Sequence, residues 1–325
     1  MFRVILLLAL VYAFLNGYKD SPSIVAVVVF SRALNPRPAL LLTAAAQLAA
    51  PALFGVAVAR TIGTGILRPA GVDPIVILAA LAGALMWNLL TWYLGLPSSS
   101  SHGLVGGLVG AGLASGGWGL LEFGGLGKVL LSLLVSPVLG LAGGYAAMRW
   151  LLRASRRSTP RVNRLFRRLQ IPALIALALS HGTNDPPKTM AMVTLGLIAT
   201  GAIPQFTVPL WVIAVSVGAF CLGTSLAGWR IMRALGARIF RVRPIHGLAA
   251  LVGGAGVILG SGLVGAPVSA THVMSTAIMG AGAADRLNRV RWGVTGGILW
   301  SWILTLPMSA GLAALAAILI RRLGG

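Results

Sequence analysis

Acidic residues are nearly missing from this chain: five Asp and Glu in 325 residues, against 26 Lys and Arg. Charged residues of both signs make up only 10% of the sequence, where a soluble domain carries about 25%. That shortage excludes an ordinary soluble enzyme. Cysteine is reduced to Cys221, which excludes an internal disulfide and any cysteine-based metal cluster. The basic residues form no stripe interleaved with aromatics, so nucleic acid is excluded as a partner. No small-x-small cleavage site follows the apolar run Val4 to Leu15, so the N-terminal segment reads as retained and not as a signal peptide.

What the chain does have is apolar length. Hydrophobic residues make up 57%, and the mean hydropathy is +0.91. A spanning helix needs about 20 apolar residues, so ten spans and short loops use up the chain. Twelve apolar segments can be read off. They are 1–15, 22–34, 38–60, 74–96, 100–117 and 126–152, then 171–181, 187–201, 207–230, 244–265, 268–284 and 292–320. Between these two sets, Arg149 to Arg168 holds eight Arg and no acid, and reads as a solvated cytoplasmic connector.

The halves repeat. Asn16-Gly17-Tyr18-Lys19-Asp20-Ser21-Pro22 matches His181-Gly182-Thr183-Asn184-Asp185-Pro186-Pro187 at an offset of 165. Pro97 to His102 matches Pro267 to His272 at an offset of 170, where Gly110 also falls on Gly280 and Pro137 on Pro307. Separated blocks that keep order and near-constant offset mark a duplication. The expected organisation is a first repeat over 1–148, a connector over 149–169 and a second repeat over 170–325.

Basic residues then orient the chain. If all twelve segments cross, the two sides receive equal charge. If 1–34 and 171–201 each form one broken crossing, with Lys19 and Lys188 inside, the remaining basic residues split 18 to 6. Each repeat then has an odd number of crossings, which makes the repeats inverted. Treating 100–117 and 268–284 as re-entrant gives the same split and stays open. The fold class expected is an all-α polytopic membrane protein, with two inverted repeats whose broken or re-entrant helices meet at the bilayer midplane.

Asp73, Glu122 and Asp285 lie in loops or beside Arg and read as interfacial. Asp20 and Asp185 are repeat mates inside broken membrane segments, where a carboxylate is expensive and marks function. Each stands just before a proline, so each also reads as a helix cap. Ser98, Ser99, Ser100 and Ser101, with their mates Ser269 and Thr271, open two further helices. Hydroxyls and unbonded N–H groups at helix starts suit a small anion. Four such starts related by repeat symmetry form a transporter-like centre. His102 and His272 are also mates, read as packed, hydrogen-bonded histidines ahead of a proton relay, and His246 reads as interfacial. Gly103, Gly106, Gly107 and Gly110 give small-residue spacing for close helix packing.

These residues resemble the inorganic phosphate transporter family of the PiT type. The resemblance rests on Phe14-Leu15-Asn16-Gly17 with Asp20, Leu96 to His102, Ser180-His181-Gly182-Thr183-Asn184-Asp185, Pro267 to His272, and the tail from Arg291-Trp292-Gly293 to Pro307. It implies a prokaryotic secondary transporter, multi-pass in the inner or plasma membrane. It further implies import of inorganic phosphate with a sodium ion or a proton, without other cofactors, as a homodimer in the lipid bilayer. Sulfate is the alternative substrate. Ser98 to Ser101, Ser269, Thr271, Lys19 and Asn184 would hold the anion, and Asp20, Asp185 and Asn16 the coupling cation. Lys19, Ser23 and Pro187 depart from the family's usual Asn or His, Asn and Gln. The expectation for Lys19 is an ammonium beside Asp20 that replaces one cation. A membrane-embedded enzyme is disfavoured because Ser, His and Asp occur as symmetric pairs at helix starts. A passive channel would not need two buried carboxylates.

Overall fold

A computed structural model describes residues 1–68, 71–95, 98–159, 161–227, 243–287 and 292–324. Leu96, Pro97 and Arg291, part of the sequence motifs, lie outside the described residues. In lipid an apolar run can satisfy its backbone only as helix or closed barrel. The described residues take the helical solution throughout: α1 (Phe2–Phe30), α2 (Pro36–Phe54), α3 (Ala57–Gly65), α4 (Pro74–Tyr93), α5 (Ser100–Gly116), α6 (Phe123–Ala154), α7 (Val162–Asn184), α8 (Pro186–Ala199), α9 (Leu210–Ser225), α10 (Pro244–Leu263), α11 (Ala270–Asp285) and α12 (Trp292–Gly324). Seven helices among the described residues are long and apolar enough to cross a membrane.

Proline opens α2, α4, α8 and α10, where its missing N–H has no helical partner to lose. The segment 38–60, expected as one span, turns at Gly55 with φ 75° and divides into α2 and α3. The duplicated motif breaks only once. In the second repeat α7 ends at Asn184 and α8 begins after Asp185, as expected, because Pro186 and Pro187 withdraw two successive N–H donors. In the first repeat a lone Pro22 is absorbed inside a continuous α1. The arginine-rich run is largely helical: α6 continues to Ala154 and α7 starts at Val162, with all eight arginines exposed at these helix ends.

Packing exchanges elements between the repeats. The α4–α5 hairpin of the first repeat lies on α12 of the second, and the α10–α11 hairpin of the second lies on α6 of the first. Likewise α1 packs on α9 and α7 on α2. Glycines permit the closest crossings: a Cβ on Gly110 would strike the Ala310 carbonyl, and one on its mate Gly280 would strike the Leu141 carbonyl. Two apolar clusters result. One gathers Ile5, Tyr12, Leu81, Leu104 and Met190; the other gathers Ile24, Leu177, Leu251 and Met274. The polar motif residues of α1 and of α7–α8 fall between the two clusters. Outward faces carry Leu41, Leu48, Leu131, Leu134 and Ile303 in the open, which suits lipid and not water.

The peripheral acids settle against basic side chains. Asp73 caps α4 through Val76 N at 2.8 Å and pairs with Arg321 at 2.5 Å; Glu122 faces Arg68 at 3.5 Å. Asp285 pairs with His246 at 3.0 Å. His246, expected at an interface, is buried, because α10 starts beneath the end of α11.

Candidate functional site

Two hairpin tips meet in the centre of the molecule. Ser99 caps α5 by accepting from His102 N at 3.2 Å, and its mate Ser269 caps α11 by accepting from His272 N at 3.4 Å. The caps bring α5 and α11 together at their positive ends, with the His102 and His272 rings 4.8 Å apart. Ser101 on α5 donates to the Val268 carbonyl just before α11 at 3.0 Å. His102 is hydrogen-bonded as expected, through Nδ1 to Ser99 Oγ at 2.9 Å. His272 instead stacks on Trp302, with neither ring nitrogen hydrogen-bonded.

The two carboxylates flank these tips, and neither acts as a cap. Asp20 lies inside α1, and the Asp185 side chain accepts no backbone N–H at the start of α8. Asp20 is buried; its Oδ2 accepts from Ser100 Oγ at 2.7 Å, while its Oδ1 is without a hydrogen-bond partner. One helical turn earlier on the same face, the buried Asn16 also has an unpartnered Oδ1. Tyr12, another turn back, donates to the Ser100 carbonyl at 2.9 Å and fixes the hairpin tip against α1.

Asp185 is engaged on both oxygens. Oδ1 takes Lys188 Nζ in an ion pair and Asn184 Nδ2 at 3.0 Å, and Oδ2 faces His181 Nε2. His181 Nδ1 meets Gln47 Nε2 at 2.9 Å, and Gln47 Oε1 accepts from Thr224 Oγ1 at 2.8 Å. This chain ties the second-repeat motif to α2 and α9. Lys188 is 1% exposed and also donates to Ser101 Oγ at 2.5 Å and to the Val268 carbonyl at 3.0 Å. Adjacent serines of one hairpin tip thus serve opposite carboxylates: Ser100 binds Asp20, and Ser101 joins the Asp185 group through Lys188.

Lys19 and Asn184, repeat mates, do related work. Lys19 Nζ donates to Ser98 Oγ at 2.8 Å and Asn88 Oδ1 at 3.3 Å. Asn184 clasps Val268, the mate of Ser98, by donating to its carbonyl at 2.8 Å and accepting its N–H at 3.0 Å. The expected pairing of Lys19 with Asp20 does not form. Neighbours in a helix point about 100° apart, and Lys19 turns toward α4 while Asp20 turns toward α5. A pocket of about 180 Å³ opens there, with Asn16, Lys19 and Asn88 as its polar part and Phe14, Leu89 and Trp92 among its apolar walls.

The structure therefore gathers Asn16, Asp20, Lys19, Ser98, Ser100, Ser101, Asn184 and Asp185 into one centre. Ser99 and Ser269 act as caps at its edge. Thr271 is only half-buried, and its hydroxyl contacts Ser269 Oγ at 3.1 Å. Sequence reasoning missed Lys188 as a site residue, although a lysine three residues after Asp185 lies on the same helical face. It missed Gln47, Asn88 and Thr91 as well, which carry no local signal. Thr91 reaches Ser98 Oγ at 2.6 Å. Among the described residues no group of three His, Cys, Asp or Glu is placed to hold a metal, so a cation here would rely on mixed oxygen ligands.

Comparison with known proteins agrees with this architecture. The model of the phosphate transporter family matches twice, over residues 16–159 and 152–313. A probable low-affinity inorganic phosphate transporter of Rhizobium meliloti (strain 1021) is 41% identical over 309 residues, covering 94% of this chain and 92% of that protein. A protein of the same description from Bacillus subtilis (strain 168) is 37% identical over 319 residues, covering 96% and 95%. A solved structure titled the sodium-dependent phosphate transporter superposes with a TM-score of 0.89 at 23% identity, covering 99% of each chain.

Proposed function

The chain belongs to the phosphate transporter family, and from that premise we propose that it carries inorganic phosphate across a membrane, coupled to a cation. It is a transporter and not an enzyme, as its relatives are named. One observation supports the site best: two capped helix N-termini from opposite repeats converge on a buried centre that also holds two carboxylates and two lysines. Helix starts, hydroxyls and an ammonium attract a phosphate; the carboxylates answer to a cation. At 16 residues α11 measures about 24 Å, short of a 30 Å hydrocarbon core, while α5 reaches spanning length only with the 3-10 turn that carries it to Leu120; both start at the centre. We read both as arms of re-entrant hairpins in an inverted pair of repeats, divided at the arginine-rich link.

In this reading phosphate enters beside Lys19 and Asn88 and is held by Ser98, Ser101, Asn184 and the α5 and α11 starts, with Ser269 and Thr271 at the rim. The cation, sodium or a proton, goes to Asp20 Oδ1 and Asn16 Oδ1, two buried oxygens of this centre that lack a partner. Sodium coupling is favoured by the solved neighbour's title and by these oxygen ligands. The bacterial source of the relatives supports a plasma or inner membrane location, and family resemblance alone supports a homodimer. Uptake of labelled phosphate into proteoliposomes tests the reading, with sodium and pH gradients imposed separately and sulfate as competitor. Gradient-driven accumulation that excess sulfate leaves intact is the expected result. Absence of both uptake and phosphate counterflow would overturn it.

A further inference from the structure

We infer that Lys188 is a built-in cation: its ammonium occupies, on Asp185, the position that a mobile coupling cation takes on Asp20. The inference rests on the transport reading above and deepens it, because it limits the free cations carried to those of the first-repeat carboxylate.

The two carboxylates are repeat mates with opposite surroundings. At Asp185 the Lys188 ammonium has three protons and three oxygen partners: a carboxylate, the Ser101 hydroxyl at 2.5 Å and the Val268 carbonyl at 3.0 Å. Carboxylate, hydroxyl and backbone carbonyl make up the ligand set that a hard cation such as sodium uses. Asn184 and His181 meet the rest of the carboxylate. Both oxygens of Asp185 are thus engaged, and a second positive charge there would face the Lys188 ammonium in a buried setting.

At Asp20 the lysine's place is taken by Ser23, the residue at the repeat-equivalent position. Ser23 is too short to cross to the hairpin and donates instead to the Asp20 carbonyl at 2.6 Å. Lys19 is drawn away to Ser98 and Asn88. Asp20 Oδ1 and Asn16 Oδ1 remain buried and unpartnered. Each repeat thus carries one lysine in its motif, but only the second points its ammonium at the carboxylate. Duplication built two cation positions, and one of them is filled by the chain itself. The expectation that Asp185 joins Asp20 and Asn16 as a cation ligand is replaced by a division of labour.

The test counts ions on the purified full-length protein, using radioactive sodium at saturating phosphate. Wild type should bind at most one sodium per chain, and Lys188→Gln should bind one more than wild type. Uptake by Lys188→Gln should show a steeper sodium dependence, with a Hill coefficient higher by about one. Two saturable sodium ions on wild type would overturn the inference, as would a folded Lys188→Gln that binds no more than wild type. If Lys188→Gln does not fold, the wild-type count alone decides. Phosphate counterflow by wild type separates the two levels: its presence with two bound sodium ions defeats the role of Lys188 and spares the transport reading, while its absence defeats the transport reading.

Discussion

Lys188 on the second repeat donates to the Ser101 hydroxyl on the first across 2.5 Å, deep in the molecule. This contact links the α8 motif to the tip of the α4–α5 hairpin and passes the Asp185 charge to a residue 84 positions away in the chain. Any movement of that hairpin relative to α8 must break or re-form a charge-assisted hydrogen bond. Transport and stability are therefore coupled at this point.

Removing one member of the buried pair should cost more than removing both. Asp185→Asn leaves the Lys188 ammonium without its counter-charge and should destabilise the protein by about 3–5 kcal/mol while abolishing phosphate uptake. Asp185→Asn with Lys188→Met should recover most of the thermal midpoint but not uptake. Thermal unfolding in detergent, paired with uptake in proteoliposomes, checks both halves. A double variant less stable than the single one would contradict the pairing.

Asp20→Asn should behave in the opposite way. Its Oδ1 has no hydrogen-bond partner, so an amide there removes a buried charge that is only partly compensated. The thermal midpoint should stay level or rise, while gradient-driven uptake falls to background. A variant that still accumulates phosphate in response to a sodium or pH gradient would take Asp20 out of the coupling step.

Lys19→Asn separates anion binding from cation coupling. Lys19 touches Ser98 and Asn88 beside the pocket and not Asp20, so its loss should weaken apparent phosphate affinity by about tenfold, or 1.4 kcal/mol. The shape of the sodium or pH dependence should be unchanged. Phosphate concentration series at several sodium and pH values measure this. A changed cation dependence with an unchanged phosphate affinity would place Lys19 with the cation instead.

Glycines of α5 should differ according to what they face. Gly110→Ala drives a methyl into the Ala310 carbonyl and should destabilise by about 1–3 kcal/mol. Gly103→Ala meets nothing closer than Asn88 Oδ1 at 3.8 Å, so it should be neutral or stabilise by about 0.5–1 kcal/mol through reduced chain entropy. Fluorescence-detected melting of the two variants side by side reads the contrast. Equal midpoints would mean that α5 and α12 do not cross at Gly110.

Hydropathy, duplication and the paired motifs are properties of short stretches, so they could be read without coordinates. The membrane class follows from such stretches, and so do the expectation of a repeat boundary near the arginines and the proposal of a site at Asn16, Asp20, Asp185 and the serine blocks. The break at Pro186-Pro187 was legible for the same reason, since two missing N–H donors act locally. The continuity of α1 through Pro22 was not legible, because neighbouring helices hold it. Nor could the sequence say that α4–α5 packs on α12 while α10–α11 packs on α6. The choice between the lysines depended on that exchange. Lys19 adjoins Asp20 in the chain yet points elsewhere around the helix. Lys188 reaches both Asp185 and Ser101 only because the first repeat's hairpin tip lies over α8. Side-chain direction and the partner it meets are settled by packing between distant segments, and adjacency in sequence carries no record of it.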